Sequence, residues 1–203
     1  MRRHLTFLFF LALTTLGRAT SVIPPSFPEL VNEADAIYRG RVTDIQARRT
    51  TAPDGTVIIK THVTLVIERT LKGEQRSEIT LDFLGGTIGD ESLVVTGMPK
   101  FNLGASEYVF VQRNGRQFCP LVAMGHGRYR LARDPAAARD YIARDNGTPL
   151  TDPAEIELPL IALPTPVRAA SAASAITRAL SPEAFETSIS AEVQRPTLPA
   201  RQN

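Results

Sequence analysis

Residues 56–73 alternate. Val57, Ile59, Val63, Leu65, Ile67 and Leu71 fall on odd positions, and Thr56, Lys60, His62, Thr64, Glu68 and Thr70 on even ones. Period two sends successive side chains to opposite faces, so this stretch predicts a strand with one buried and one wet face. Residues 77–83 repeat the pattern, with Ile79, Leu81 and Phe83 inward and Glu78, Thr80 and Asp82 outward. Residues 36–48 read as a long strand interrupted by Gly40, which predicts a bulge or tight bend. Residues 92–97 predict a further short strand. Residues 106–125 predict a hairpin turning at Asn114-Gly115, a pair suited to a type I′ turn. Its first arm is apolar on both faces and so belongs in the middle of a sheet. Residues 129–133 are a strand. Residues 135–144 fit either a helix, on alanine content, or a turn and returning strand carrying Tyr141 and Ile142; the returning strand is preferred.

Helical signals are confined to the two ends. Ser26, Pro28 and Glu29 supply a cap, a first-turn proline and a first-turn acid for a short helix over residues 27–34. Residues 148–175 hold five prolines and little periodicity. They read as a semi-extended Pro/Ala-rich linker, drawn against the domain through Leu158, Ile161 and Leu163. Ser181 and Pro182 then open a second helix, with Leu180 and Phe185 at the staple positions. Phe185, Ile189 and Val193 give it a narrow apolar stripe. The expected organisation is a β-domain over residues 25–150, a linker over 151–180, a helix over 181–195 and a tail over 196–203.

Residues 1–19 stand apart. Arg2 and Arg3 precede an apolar run over residues 5–16, followed by Gly17 and Ala19. A positive start, an apolar centre and a small-x-small ending predict a signal peptide cleaved after Ala19, and hence a secreted or periplasmic protein. The apolar run is shorter than the roughly 20 residues of a bilayer span, so no stable membrane span is expected after cleavage. The segment also explains the basic balance. Of 23 basic residues it carries Arg2, Arg3 and Arg18; the other 20 face 21 acidic residues. A nearly neutral mature chain has no global pull toward nucleic acid.

Candidate chemistry is sparse. Cys119 is the only cysteine. It lies among apolar neighbours and reads as a small buried hydrophobe. His62 and His126 are 64 residues apart, outside any metal-ligand motif; they read as an exposed strand residue and a loop residue. Asp90-Glu91 reads as a solvated loop pair. Asn146-Gly147-Thr148 matches a glycosylation acceptor formally, though Pro149 follows it. No catalytic residue, metal site or cofactor is expected.

The glycine-rich stretch over residues 83–110 poses a sharper choice. Gly85-Gly86 is followed by Thr87 and Ile88, not by lysine and a helix, so a phosphate loop is not supported. Gly85, Gly86, Gly97 and Gly104 instead predict backbone bends at a sheet corner. The loop between Thr87 and Phe101 carries Ile88, Leu93, Val94, Met98 and Phe101. Either Leu93, Val94 and Phe101 fold back as a short strand that plugs the end of a barrel, or these five form a partner-binding loop.

The order of these elements resembles the netrin-like module, the OB-type barrel also found in tissue inhibitors of metalloproteinases. The residues that carry the likeness are the opening Ala34-Asp35, the interior Gly40, the Lys72-Gly73 turn, and Gly104, Tyr108 and Phe110. Gly85, Gly86, Gly97, Pro99, Phe101 and Gly104 are also similar to a pattern in uncharacterised exported bacterial proteins. The likeness covers about residues 30–130. It implies a five- or six-stranded antiparallel OB-like barrel, with a β-sandwich as the alternative. The animal inhibitors clasp zinc through an N-terminal cysteine locked by disulfides. This chain has neither, so only the barrel carries over.

The resulting expectation is an exported, non-enzymatic binding module for a protein or peptide in the cell envelope or outside the cell. The alternatives are an inhibitor or accessory domain of a secreted protease, and a hydrolase with a dispersed site.

Overall fold

A computed structural model describes residues 23–52, 54–160 and 174–195. The expected signal peptide, the tail, and Ile161 and Leu163 of the linker lie outside them. The fold is mainly β and antiparallel. Helix α1 (Phe27–Glu33) opens it. Ser26 caps the helix: its hydroxyl accepts from Glu29 N at 3.3 Å, and its own N–H donates to the Glu29 carboxylate at 2.8 Å. Strands β1 (Ala36–Thr51) and β2 (Val57–Lys72) then form a long hairpin, each 16 residues. Its register slips beside Gly40, as the interior glycine predicts. A Cβ there would lie 2.9 Å from the Val66 carbonyl, so only glycine lets the strands approach.

Strand β3 (Glu78–Leu84) pairs with β2; β4 (Gly86–Ile88) and β5 (Glu91–Leu93) form a separate two-stranded sheet. Strands β6 (Ser106–Val111), β7 (Arg128–Asp134) and β8 (Arg139–Arg144) complete the main sheet, in the order β3-β2-β1-β6-β7-β8. The doubly apolar β6 is central, buried from Glu107 to Val111. Residues 135–144 are the turn and returning strand.

Alternate residues of β6 enter two cores. Tyr108 and Phe110 join Leu30, Val122, Tyr129 and Ile142, while Val109 and Val111 join Val63, Leu65, Leu81 and Phe83. Helix α2 (Pro182–Val193) seals the first core with Phe185 and Ile189, both fully buried; Val193, the third stripe residue, is exposed. Ser181 caps it through Ala184 N at 3.2 Å.

Four expectations are corrected. The barrel does not close: β3 and β8 end the ladder unpaired with each other. The outer edge of β3 is taken instead by the turn after β6. Asp82 N donates to Asn114 Oδ1 at 3.1 Å, Asn114 Nδ2 donates to Thr80 O at 2.7 Å, and Leu84 N donates to Phe118 O at 2.8 Å. Main sheet and small sheet together remain compatible with the layered β-sandwich alternative.

For the same reason Asn114-Gly115 is not a type I′ turn. Positive φ falls on Arg113 and Gly115, and Asn114 spends its side chain on β3. The chain still doubles back, with Val111 opposite Leu121.

The described part of the proline-rich segment is drawn against the domain, as expected, but through Leu150 and Ile156 rather than Leu158. Pro153–Glu157 is a 3-10 turn capped by Asp152, with Ile156 buried in the first core. Leu180 N donates to Leu150 O, and Ile142 N to Leu180 O, both within 2.9 Å. Proline here starts a turn, and the apolar residues beside it anchor the chain, so the domain runs past residue 150 and includes α2. Leu158 is exposed, not drawn inward.

Finally, His126 is not a loop residue in solvent. It lies in a 3-10 turn (Met124–Gly127) and is 6% exposed.

Candidate functional site

The glycine corner creates a cleft lined mostly by apolar residues. At the end of β3, Gly85 takes φ +104° and Gly86 φ +142°. Gly85 N donates to Ile59 O at 2.8 Å, and the Thr61 hydroxyl donates to Gly85 O at 2.7 Å. A Cβ on Gly85 would lie 2.7 Å from Leu93 O, and one on Gly86 2.5 Å from Thr61 Oγ1. Both glycines are therefore forced by conformation and by space. They fold the chain back as the β4–β5 hairpin against β1 and β2. From Leu93 the chain runs as a loop to Gly104, whose N–H donates to Val42 O at 2.8 Å. Gly97 and Gly104 also take positive φ, so all four glycines serve backbone geometry.

Between this loop and the sheet lies a cleft of about 400 Å³. Ile45, Val63 and Phe83 form its floor; Met98 and Phe101 stand on one side, Leu93 and Val94 at the rim. The candidate loop residues thus divide. Met98 and Phe101 pack on the second core, and Phe101 sits 5.3 Å from Phe83 between ring centres. Leu93 and Val94 face outward at 36% and 84% exposure. Ile88 is half-buried in β4 and does not line the cleft. The loop is thus split: Phe101 packs inward on the second core, while Leu93 and Val94 form an exposed apolar rim.

A buried charge cluster backs the cleft. The Arg128 guanidinium lies 4.5 Å over the Phe101 ring. It donates to Glu107 and Asp145, each at 2.6 Å at its shortest. Burial pushes the Glu107 carboxyl above its ordinary range, and Arg128 opposes the shift. The sequence signal was a lone acid in the apolar strand "SEYVFV", which periodicity alone does not pair. A second cluster fixes α2. Glu186 accepts from Arg39, Arg69 and the Tyr108 hydroxyl at 2.8–2.9 Å.

The remaining titratable groups are apart. His62 Nδ1 meets Asp82 across the β2–β3 ladder at 2.7 Å, on the wet face. His126 has an unpartnered, buried Nδ1. Burial, then the neighbouring Arg144, holds its pKa down to about 4. Burial raises the Cys119 thiol to about 11, so it is a poor nucleophile. Among the described residues no three His, Cys, Asp or Glu side chains come together as a metal site, and no helix is long and apolar enough to cross a membrane.

No known family, curated protein or solved structure matches this chain. The cleft must therefore be read on its own chemistry. Its lining is apolar apart from the Thr61, Thr87 and Ser92 hydroxyls and the single charge of Lys100. Thr61 is engaged with Gly85, and Thr87 with Ser92. Such a surface can hold apolar side chains.

Proposed function

We propose that the protein is an exported, non-enzymatic binding module that takes apolar side chains of a peptide or protein into the cleft behind the glycine corner. The observation that carries this reading is the cleft itself. Its volume of about 400 Å³ is within the range of small-molecule and side-chain pockets. Its rim keeps Leu93 and Val94 in solvent, where a merely structural loop would gain by burying them. Export rests on the N-terminal segment. The netrin-like likeness belongs to this reading too, as an open relative of that barrel in which the long β1–β2 hairpin and the Lys72-Gly73 turn are retained.

The test is selection of heptapeptides from a random library on the purified mature chain. Apolar sequences should be enriched, and Val94→Asp, at an exposed position, should abolish capture without moving the melting temperature. Turnover of ester, peptide or glycoside substrates by the same preparation would overturn the non-enzymatic assignment.

A further inference from the structure

The two ends of the main sheet are covered. Asn114 and Phe118 bond to the outer edge of β3. On β8, Ile142 N donates to Leu180 O and Ile142 O accepts from Leu150 N. The open edge lies inside the sheet. Strand β6 pairs with β1 only from Ala36 to Arg41. Val42 is then held by Ala105 O at 2.9 Å and Gly104 N at 2.8 Å. From Thr43 to Thr51, no strand among the described residues pairs with β1 on that side.

The ladder fixes which backbone groups face out. In an antiparallel pair, opposite residues alternate between exchanging both backbone bonds and exchanging none. Arg49 lies opposite Ile59, whose carbonyl points the other way and accepts from Gly85 N at 2.8 Å. Arg49 therefore belongs to a non-bonded pair, with its N–H and C=O turned outward. Register runs unbroken from Asp44 to Thr51, so Ile45 and Ala47 turn outward with it. The bond from Ala52 N to Thr56 O, 2.8 Å, keeps the same alternation at the hairpin tip.

Edge and cleft meet at Ile45, the β1 contribution to the cleft floor. A strand added here would lie about 4.8 Å from β1 and would continue that floor. Its residue opposite Ile45 would send its side chain to the same face, into the cleft. The next residue would face the polar side with Asp44, Gln46 and Arg48. Unpaired strand edges are templates for another chain, and extended peptides bind by this mode. A second copy fits poorly. Paired through the same residues, the tip of its own β1–β2 hairpin would run against Gly104 and Ala105, which already hold Val42. A short extended segment has no such tip.

We infer that the occupant of the cleft binds as an added β-strand: an extended stretch of a partner polypeptide pairs its backbone with Ile45, Ala47 and Arg49 and sends alternate apolar side chains into the cleft. This rests on the binding reading above and specifies its mode. In the experiment, the most enriched apolar heptapeptide is synthesised with one N-methyl group at each inner position in turn and titrated against the mature chain. The methyl removes a donor and adds bulk where the peptide backbone meets the edge. Affinity should fall about tenfold at every second position and stay within about twofold at those between. In the protein, amide hydrogen exchange at Ile45, Ala47 and Arg49 should slow about tenfold or more at saturation. Gln46 and Arg48, already bonded to β2, should change little. Binding whose N-methyl effects show no period of two, or that leaves exchange at the three amides unchanged, overturns strand addition and leaves the cleft reading standing. If no peptide binds, the binding reading fails and the inference with it. Exchange at these amides that slows in the free chain as its own concentration rises would assign the edge to a second copy, which also overturns the inference.

Discussion

Removing the Glu186 carboxylate should loosen α2 and destabilise the whole domain. Glu186 is 5% exposed and accepts three hydrogen bonds, from Arg39, Arg69 and Tyr108. In Glu186→Ala the Tyr108 hydroxyl, itself buried, loses its partner, a loss of about 1–3 kcal/mol. The two arginines are left without their anion. Breaking a fully buried ion pair from one side costs roughly 3–5 kcal/mol, but these arginines recover part of it. The Arg69 side chain is 56% exposed and Arg39 also meets Glu68 at 3.2 Å. The lower end, about 3 kcal/mol, is therefore expected, which for a domain of this size lowers the melting temperature by about 6–12 °C. Glu186→Gln keeps the shape and one acceptor oxygen and should lose about 1 kcal/mol. Thermal melts of the three proteins by circular dichroism measure this. Were Glu186→Ala to melt within about 2 °C of the parent, less than 1 kcal/mol, α2 would be an appendage and the domain would end near residue 150.

Three further outcomes follow from the same packing. Gly85→Val, facing the Leu93 carbonyl at 2.7 Å with φ +104°, should lose more than about 1 kcal/mol; an unchanged denaturant midpoint would mean the corner is soft. Phe101→Ala should lose about 2 kcal/mol, below the range for fully buried aromatics because the ring is half-buried, and a melt that does not move would place the ring outside the core. His126 has a folded pKa of about 4 against an ordinary 6.5, so the unfolded chain binds the extra proton; its contribution is complete above about pH 6.5 and is lost as pH falls toward 4. His126→Gln should flatten urea stability across that window, and an identical pH profile would assign the acid sensitivity elsewhere.

Much of the fold was legible because its signals are local. The odd–even alternation of β2, the Ser26 and Ser181 caps and the positive-φ glycines each state their geometry within a few residues. What escaped the sequence was non-local. Asn114 looks like a turn former, yet its amide is spent on the β3 edge, and that competition leaves the barrel open. Pro153 looks like a breaker, but with Asp152 as cap it starts a turn that carries Ile156 into the core. Glu107, Arg128, Asp145 and Glu186 are scattered charges whose pairing appears only once β6, β7 and α2 are assembled. Of the candidate site, the loop was visible from its surplus of apolar residues. Its division into an inward Phe101 and an outward Val94 depends on where the corner aims the chain.

The central claim, that the cleft is where a partner's apolar residues bind, is tested most directly by amide chemical-shift mapping of the mature chain titrated with the most enriched heptapeptide. The account predicts saturable shifts concentrated at Ile45, Leu93, Val94, Met98, Lys100 and Phe101, and their loss in Val94→Asp. Saturable shifts confined to β8 and α2, or unchanged in Val94→Asp, would contradict it.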